Sequence, residues 1–303
     1  MDPKTGEMGI ATATCVPAVD SFSASAAIVP GKGVAATQAA FDLVNRNKVF
    51  DYLKQGMNAK NIINSVNSED MALQTRQYGV ITVKDGKPEV AGFTGTDNDG
   101  WAGDAKNEVM AVTAQGNILE GGEVLTNALT AFSAQDIGPV HLADRLMRAL
   151  EAGAVAGGDK RCNIGGITQT SSIAYIMVAK PDQQPFAEAE INQYNPDDPN
   201  APWLYLSKSS GANRANAIAL LRKEYDAWRA NALPACDGCK LAIEGVPAGD
   251  PAAPKIDNLQ MMLNTPGAIN NILPLVINAM LIVAAAVVLV VIIMRRRRKV
   301  KPS

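Results

Sequence analysis

The chain opens on MDPKTGEMGIATATC, residues Met1–Cys15. Asp2-Pro3-Lys4-Thr5-Gly6 has the composition of a tight turn, with Asp at its head, Pro in second place and Gly at its end. A turn of that kind joins two strands. The strand after it is plain, running from about Met8 to Cys15, and none stands before it. The reading of this stretch decides the fold: it is a hairpin with its first arm missing.

Further along, small-residue strands are expected at Ser23–Val29 and Gly33–Ala39, with Pro30–Gly33 as the turn between them. Helices are expected at about Gln38–Gln55, at Ala59–Val66 with Asn58 as cap, and over Ser68–Gln77. Tyr78–Val83 and Glu89–Thr94 alternate around Asp85-Gly86, a strong hairpin signal. Thr94–Asp104 reads as a loop and Val109–Ala114 as a strand. Amphipathic helices follow at Glu123–Ser133 and Val140–Ala152, then strands at Ser171–Ala179 and Trp203–Ser207 and a helix at Ala212–Ala230. Hairpins dominate and no regular βαβ alternation appears. That favours an α+β domain of antiparallel sheets with helices packed outside. Residues 233–271 carry five prolines and read as an extended stalk.

The net charge of −2 conceals an asymmetry. Six of the 28 basic residues lie at Arg295, Arg296, Arg297, Arg298, Lys299 and Lys301; residues 1–294 carry 22 basic and 30 acidic groups. An acidic body offers no basic stripe for phosphates, so nucleic acid is not expected as a partner. Ile272–Met294 holds 23 residues without a charge. At about 1.5 Å per residue such a helix crosses a hydrocarbon core of roughly 30 Å. The expectation is a transmembrane helix in the lipid bilayer over 272–294, with a basic cytoplasmic tail at 295–303 and the main domain, 1–232, extracytoplasmic. No export signal lies in the first 30 residues. Either the chain start lies downstream of the true one, or the protein is tail-anchored with its body in the cytoplasm.

Four cysteines, Cys15, Cys162, Cys236 and Cys239, fit disulfides in an exported body. Cys236 and Cys239 could close a small loop, leaving Cys15 to pair with Cys162 if the fold brings them together. Zinc is not expected from one CxxC and the single histidine, His141. No other metal or cofactor is expected; Asp97, Asp99 and Asp104 lack the closing glutamate of a calcium loop.

The strings DPKTGEMG, GVAATQA, TRQYGVITVKDG, TGTDNDGWAGD, AQGNIL and ALEAGAVAGGDKR appear in that order between Asp2 and Arg161. In this series the chain resembles an uncharacterised bacterial and archaeal family, a domain of unknown function placed among the Ntn hydrolases. The resemblance implies an αββα four-layer sandwich of two antiparallel sheets, here with the C-terminal transmembrane helix added. It also implies a short strand before the Asp-Pro turn, beginning with a catalytic Thr, Ser or Cys. In that chemistry the side chain attacks an amide carbonyl and its own α-amine acts as base. The nucleophile therefore lies upstream of Met1, or this member has lost it and is inert. The expected function is a membrane-anchored amide-bond hydrolase of small amides or peptide-like ligands. The alternative is a binding or assembly module displayed on the membrane, as a homo-oligomer or within a larger assembly. Two departures from the family, Cys162–Ile167 and Asp182–Pro202, are insertions that could reshape a pocket mouth.

Candidate site residues follow from the same strings. Thr37 and Gln38 stand at a strand-to-helix junction, where they line a pocket or cap the helix. Asn117 could offer its amide to an oxyanion, with Gly116 allowing close approach; it could equally be a turn residue. Asp159 and Arg161 flank Lys160 in a Gly-rich loop, where they could orient a carboxylate-bearing substrate, Arg161 by its fork, or form a surface ion pair. Trp101 reads more naturally as a packing anchor than as a stacking platform. Thr14 and Cys15 are possible internal nucleophiles by residue type, but no histidine is near them in sequence to act as base.

Overall fold

Alternation within two strands organises the molecule. A computed structural model describes residues 1–16, 25–185, 201–257 and 260. In it, β1 (Met8–Thr14) pairs antiparallel with β8 (Ile173–Ala179), which pairs with β9 (Leu204–Ser209). Strand β8 is buried at every position. Successive side chains of a strand point to opposite faces. Tyr175, Met177 and Ala179 accordingly join one apolar cluster, and Ala174, Ile176 and Val178 join another.

The first cluster lies against a four-stranded antiparallel sheet in the order β2 (Ala26–Val29), β3 (Gly33–Ala39), β4 (Arg76–Lys84), β5 (Lys87–Thr94). Ile28, Val34, Ile81 and Val90 meet Ile10 and Met177 there. The other face of that sheet packs Val80 and Tyr78 on α1 (Leu43–Lys54) and α2 (Ala59–Ser68). On the far side of β8, Ile176 and Val178 pack on α4 (Leu142–Val155) and α5 (Ala217–Ala232), with Phe132 from α3 (Glu123–Ser133). Asp42 caps α1, Asn58 caps α2 and Asn216 caps α5, each accepting from backbone N–H groups of the first turn.

Two further sheets complete the set. Strands β6 (Trp101–Asn107) and β7 (Val112–Leu119) form a pair, as do β10 (Asn213–Ala215) and β11 (Gly249–Pro254). Gly79 of β4 lets β7 approach: a Cβ there would lie 2.1 Å from Oε1 of Gln115.

The observed class is therefore a mixed α/β fold with four antiparallel sheets and five α-helices among the described residues. This corrects the expected four-layer sandwich of two sheets with a membrane helix. Among the described residues no helix is long and apolar enough to cross a membrane. The expected single-pass anchor, and with it the extracytoplasmic placement of the domain, is thus not supported. The candidate span 272–294 and the tail 295–303 lie outside the described residues, as do most of the second insertion (186–200) and the end of the Pro-rich segment.

Two local expectations also change. Residues 68–77, expected as a helix, hold the last residue of α2, a 3-10 turn at Leu73–Thr75 and the first two residues of β4. The Asp70 carboxylate accepts from Ala72 N at 2.9 Å and Arg76 Nε at 2.7 Å, and this side-chain competition turns the backbone out of the helix. Residues 101–107, expected partly as loop, form β6. Its polar, glycine-containing string carries little strand propensity, and pairing with β7 supplies the order instead.

The opening turn is pinned to α4. Asp2 N donates to Glu7 O at 2.9 Å, closing the turn. Glu7, itself buried, meets Nε2 of His141 at 2.9–3.0 Å. His141 caps α4 by accepting from Ala143 N at Nδ1, which leaves the ring proton on Nε2 for Glu7. Burial alone would raise the Glu7 carboxyl. The His141 hydrogen bond, with the Thr5 hydroxyl and the Lys180 charge, outweighs that and holds it below its ordinary 4.5.

A carboxyl lowered on folding stabilises the fold above its ordinary pKa, and the gain disappears as pH falls through the lower folded value. The melting temperature should therefore drop as pH falls from above the ordinary carboxyl value of 4.5 through the lower folded one. Glu7→Gln should melt lower at neutral pH and show a shallower acid limb, which calorimetry across that range will measure.

Candidate active site

A cavity of about 620 Å³ runs between β1 and β7, roofed by α3 and α4 and floored by β3 and β4. Its body is apolar, lined by Ile10, Val34, Leu125 and Leu146, and its polar groups gather at one end. That end collects the C-terminal ends of β1, β3 and β7.

Asp159 organises the end of β1. Its carboxylate accepts from Cys15 N at 2.8 Å, from Arg161 N at 3.0 Å, and from Arg161 Nε and Nη2 at 2.9 and 2.5 Å. Thr14 Oγ1 lies 3.4 Å from Asp159 Oδ2 and 3.2 Å from Arg161 Nη2. The loop is also closed covalently, because Cys15 is bonded to Cys162 with their Cα atoms 5.6 Å apart. Cys236 and Cys239 are bonded to each other away from the cavity. Asp159 further pairs with Leu119 in an isolated antiparallel bridge, so one residue ties the end of β1 to the end of β7. Nη1 of Arg161 has no hydrogen-bond partner among the described residues.

An amide network organises the ends of β3 and β7. Gln77 is 0 % exposed. Its Oε1 accepts from Gln38 Nε2 and from Asn117 Nδ2, both at 3.1 Å. Its Nε2 donates to the Gly116 carbonyl at 2.8 Å and lies 3.2 Å from Gly103 O and from Thr94 Oγ1. Gln38 and Asn117 both line the cavity. With their nitrogens on Gln77, Oε1 of Gln38 and Oδ1 of Asn117 remain without a partner among the described residues. The group that Asn117 presents to a ligand is thus an acceptor.

Five of the residues singled out by sequence, Gln38, Gly116, Asn117, Asp159 and Arg161, come together around this cavity. Thr37 does not line it and donates to Ser25 O at 3.3 Å. Trp101 packs away from it against Gly103 and Gly122, where added Cβ atoms would lie 2.8 and 3.0 Å from its ring. Gln77 was missed by sequence reasoning. Its only signal is a glutamine heading an otherwise apolar strand, QYGVITV.

The rim is conformationally strained. Among the described residues five non-glycine residues have positive φ, and Ala39 (72°), Ile118 (52°) and Thr170 (61°) of these line the cavity. A β-branched residue in this region is an outlier, and such strain gathers at functional sites. At the opposite end the Met1 amine donates to Ala111 O at 2.8 Å, and burial lowers it to about 5. Among the described residues no group of His, Cys, Asp or Glu has the arrangement to hold a metal ion.

Comparison with known proteins gives a consistent family. The model of a family of unknown function, DUF1028, matches residues 1–200. A Silicibacter pomeroyi protein assigned to DUF1028, known from its crystal structure, has a similar fold with a TM-score of 0.56. The likeness covers 80% of this chain and 93% of that one at 22% identity. No curated protein matches.

Removing the Asp159 carboxylate leaves Arg161 and the Cys15 N–H without their acceptor in a mostly buried setting. Asp159→Ala should cost about 3 kcal/mol, the low end for breaking a buried pair because Arg161 keeps some access to water. Urea unfolding of the oxidised protein reads this directly.

Proposed function

The chain belongs to the DUF1028 family, and from that premise we propose that its cavity is a binding site for small amide or peptide-like ligands, the substrate class of an amide hydrolase. The observation that carries this reading is the double acceptance by Gln77 Oε1. A fully buried amide turns two others, Gln38 and Asn117, so that their carbonyl oxygens are left for a ligand. An amide ligand offers the complementary N–H. Its carbonyl, or a terminal carboxylate, finds the donor Nη1 of Arg161 on the cavity wall. Donors and acceptors held by an internal network need no rearrangement on binding, which lowers the cost of association.

The binding reading is favoured over catalysis by the described residues alone. Thr14 has its hydroxyl engaged by Asp159 and Arg161, and Cys15 is in a disulfide. His141, bound to Glu7 and the α4 cap, does not line the cavity. The Ntn-hydrolase resemblance adds amide-bond cleavage to the same ligand class, and the experiment separates the two.

The full chain is titrated calorimetrically with N-acetyl-dialanine, which carries two amides and one carboxylate. Binding should weaken about five- to tenfold in Gln38→Ala and in Asn117→Ala, the loss of one hydrogen bond each. Arg161→Gln should weaken it further, because that bond is charge-assisted. The ligand should be recovered intact by mass spectrometry. Cleavage would convert the assignment to a hydrolase, and no binding at about tenfold above millimolar ligand, the weak end of specific affinity, would overturn it.

A further inference from the structure

Two disulfides stand among the described residues, and their settings differ. Cys15 and Cys162 are at most 1 % exposed, span 147 residues of sequence and lie in an apolar cluster with Ile256. Cys236 and Cys239 are half-buried and three residues apart, on a turn whose middle residues, Asp237 and Gly238, are exposed. A cross-link over so short a loop removes little freedom from the unfolded chain, so it adds little stability. The pair also lies beyond residues 1–200, the part that the family model matches.

More than their own bond brings these two cysteines together. Cys239 N donates to Cys236 O at 3.3 Å, and Gly238 supplies the positive φ, 76°, of such a turn. The chain that follows is gripped along its backbone by α4, α5 and the loop before α4. Lys240 N donates to Ile137 O at 3.1 Å. Nη1 of the buried Arg148 donates to Lys240 O at 2.5 Å and to Ala242 O at 3.2 Å. Arg222 Nη2 donates to Leu241 O, and Ile243 N to Glu151 Oε2, both at 3.0 Å. None of these bonds passes through sulfur, so the cysteines keep their places when the S–S bond opens. Sγ of Cys239 is seated over Gly138, where an added Cβ would lie 2.6 Å from it. A thiol arriving from solvent therefore meets Cys236 first.

We propose that Cys236–Cys239 is a thiol–disulfide exchange site that accepts two electrons from a small dithiol. One thiolate of the dithiol attacks Cys236 Sγ. A mixed disulfide forms as the Cys236–Cys239 bond breaks, and the electron pair of that bond leaves on Cys239 Sγ. The second thiolate of the dithiol then attacks the dithiol's own sulfur in the mixed disulfide and releases Cys236. The dithiol ends as a disulfide, and its two protons end on Cys236 and Cys239. Lys240, next in the chain, sets a cation beside the departing thiolate, which favours its charge. The site is separate from the cavity and does not depend on the amide-ligand reading.

The oxidised full chain is treated with dithiothreitol without denaturant, quenched with iodoacetamide at intervals and mapped by mass spectrometry. Cys236 and Cys239 should be alkylated at least about a hundredfold faster than Cys15 and Cys162, because attack on a buried sulfur waits for local opening. Oxidised glutathione, added once dithiothreitol is removed, should restore the bond. Hydrogen exchange over residues 240–243 should agree within about twofold between the two redox forms. Faster exchange after reduction would make the bond a structural staple and overturn the proposal. Reduction of both disulfides at similar rates, or failure of the bond to re-form, overturns it as well. Two variants read the order of attack. With oxidised glutathione, Cys236 in Cys239→Ser should form a mixed disulfide at least about tenfold faster than Cys239 in Cys236→Ser. Equal or faster reaction at Cys239 overturns the assignment of Cys236 as the attacked sulfur.

Discussion

The carboxylate of Asp159 sets the geometry on which the cavity depends. One side chain, 5 % exposed, receives the backbone N–H that follows β1 and both nitrogens of one edge of the Arg161 fork. The same residue's backbone meets the end of β7. Its bonds to ionised Arg161 are short and charge-assisted, so the buried charge is compensated where it stands. The Cys15–Cys162 bond closes a second link across 147 residues of sequence, next to the first. Two strand ends are thus held from one point without pairing to each other, and the space between them remains as cavity.

Gln77 does for β3 and β7 what Asp159 does for β1 and β7. It sits in β4 opposite Gln38 in the ladder, yet its side chain reaches across to β6 and β7. A fully buried amide is tolerated only when its hydrogen-bonding capacity is used, and here both ends are engaged. Such a network in a low-dielectric interior is unforgiving of substitution, because each lost member orphans the others. Gly79, two residues on, removes the one Cβ that would keep Gln115 and β7 at a distance. The approach of the small sheet to the large one is therefore made by an amide and an absent side chain, not by apolar area alone.

This explains what could and could not be read from the amino-acid string. β3 was legible to the residue at Gly33–Ala39, and the β4–β5 hairpin to within two. Period-two patterning and the Asp85-Gly86 turn are local signals. Helix α2 was legible because Asn58 is a local cap. The failures are all non-local. The 68–77 segment has helical composition, but Asp70 is claimed by Arg76 and Asn45, which only the folded chain brings to it. β6 has polar composition and exists because β7 pairs with it. The division of strands into four sheets depends on which edges remain unpaired, and no periodicity encodes that. In the site, Gln38 was visible at a strand-to-helix junction, and Asn117, Asp159 and Arg161 as polar residues in Gly-containing strings. Thr37 looked identical in sequence, but the pleat points it to the opposite side of β3 from Gln38. Gln77 carried no such mark, because its importance lies in what it touches.

The strained rim links these anchors to the cavity. Ile118 is held in a left-handed conformation between Asn117, bonded to Gln77, and Leu119, bridged to Asp159; its own N–H donates to Asp99 O at 3.0 Å. Thr170 is held likewise, its carbonyl accepting from Asp159 N at 2.9 Å and its N–H donating to Asn163 Oδ1 at 3.1 Å. Each such residue costs on the order of 1–3 kcal/mol and persists only where the surroundings over-determine it. The two buried polar anchors are that over-determination. A relaxed rim would need neither. The strain is therefore best understood as the consequence of holding Asn117 and the Asp159 loop in fixed register around an open space. It makes the mouth a pre-shaped surface, and a mobile loop of the same composition could not keep its acceptors and its one arginine in place.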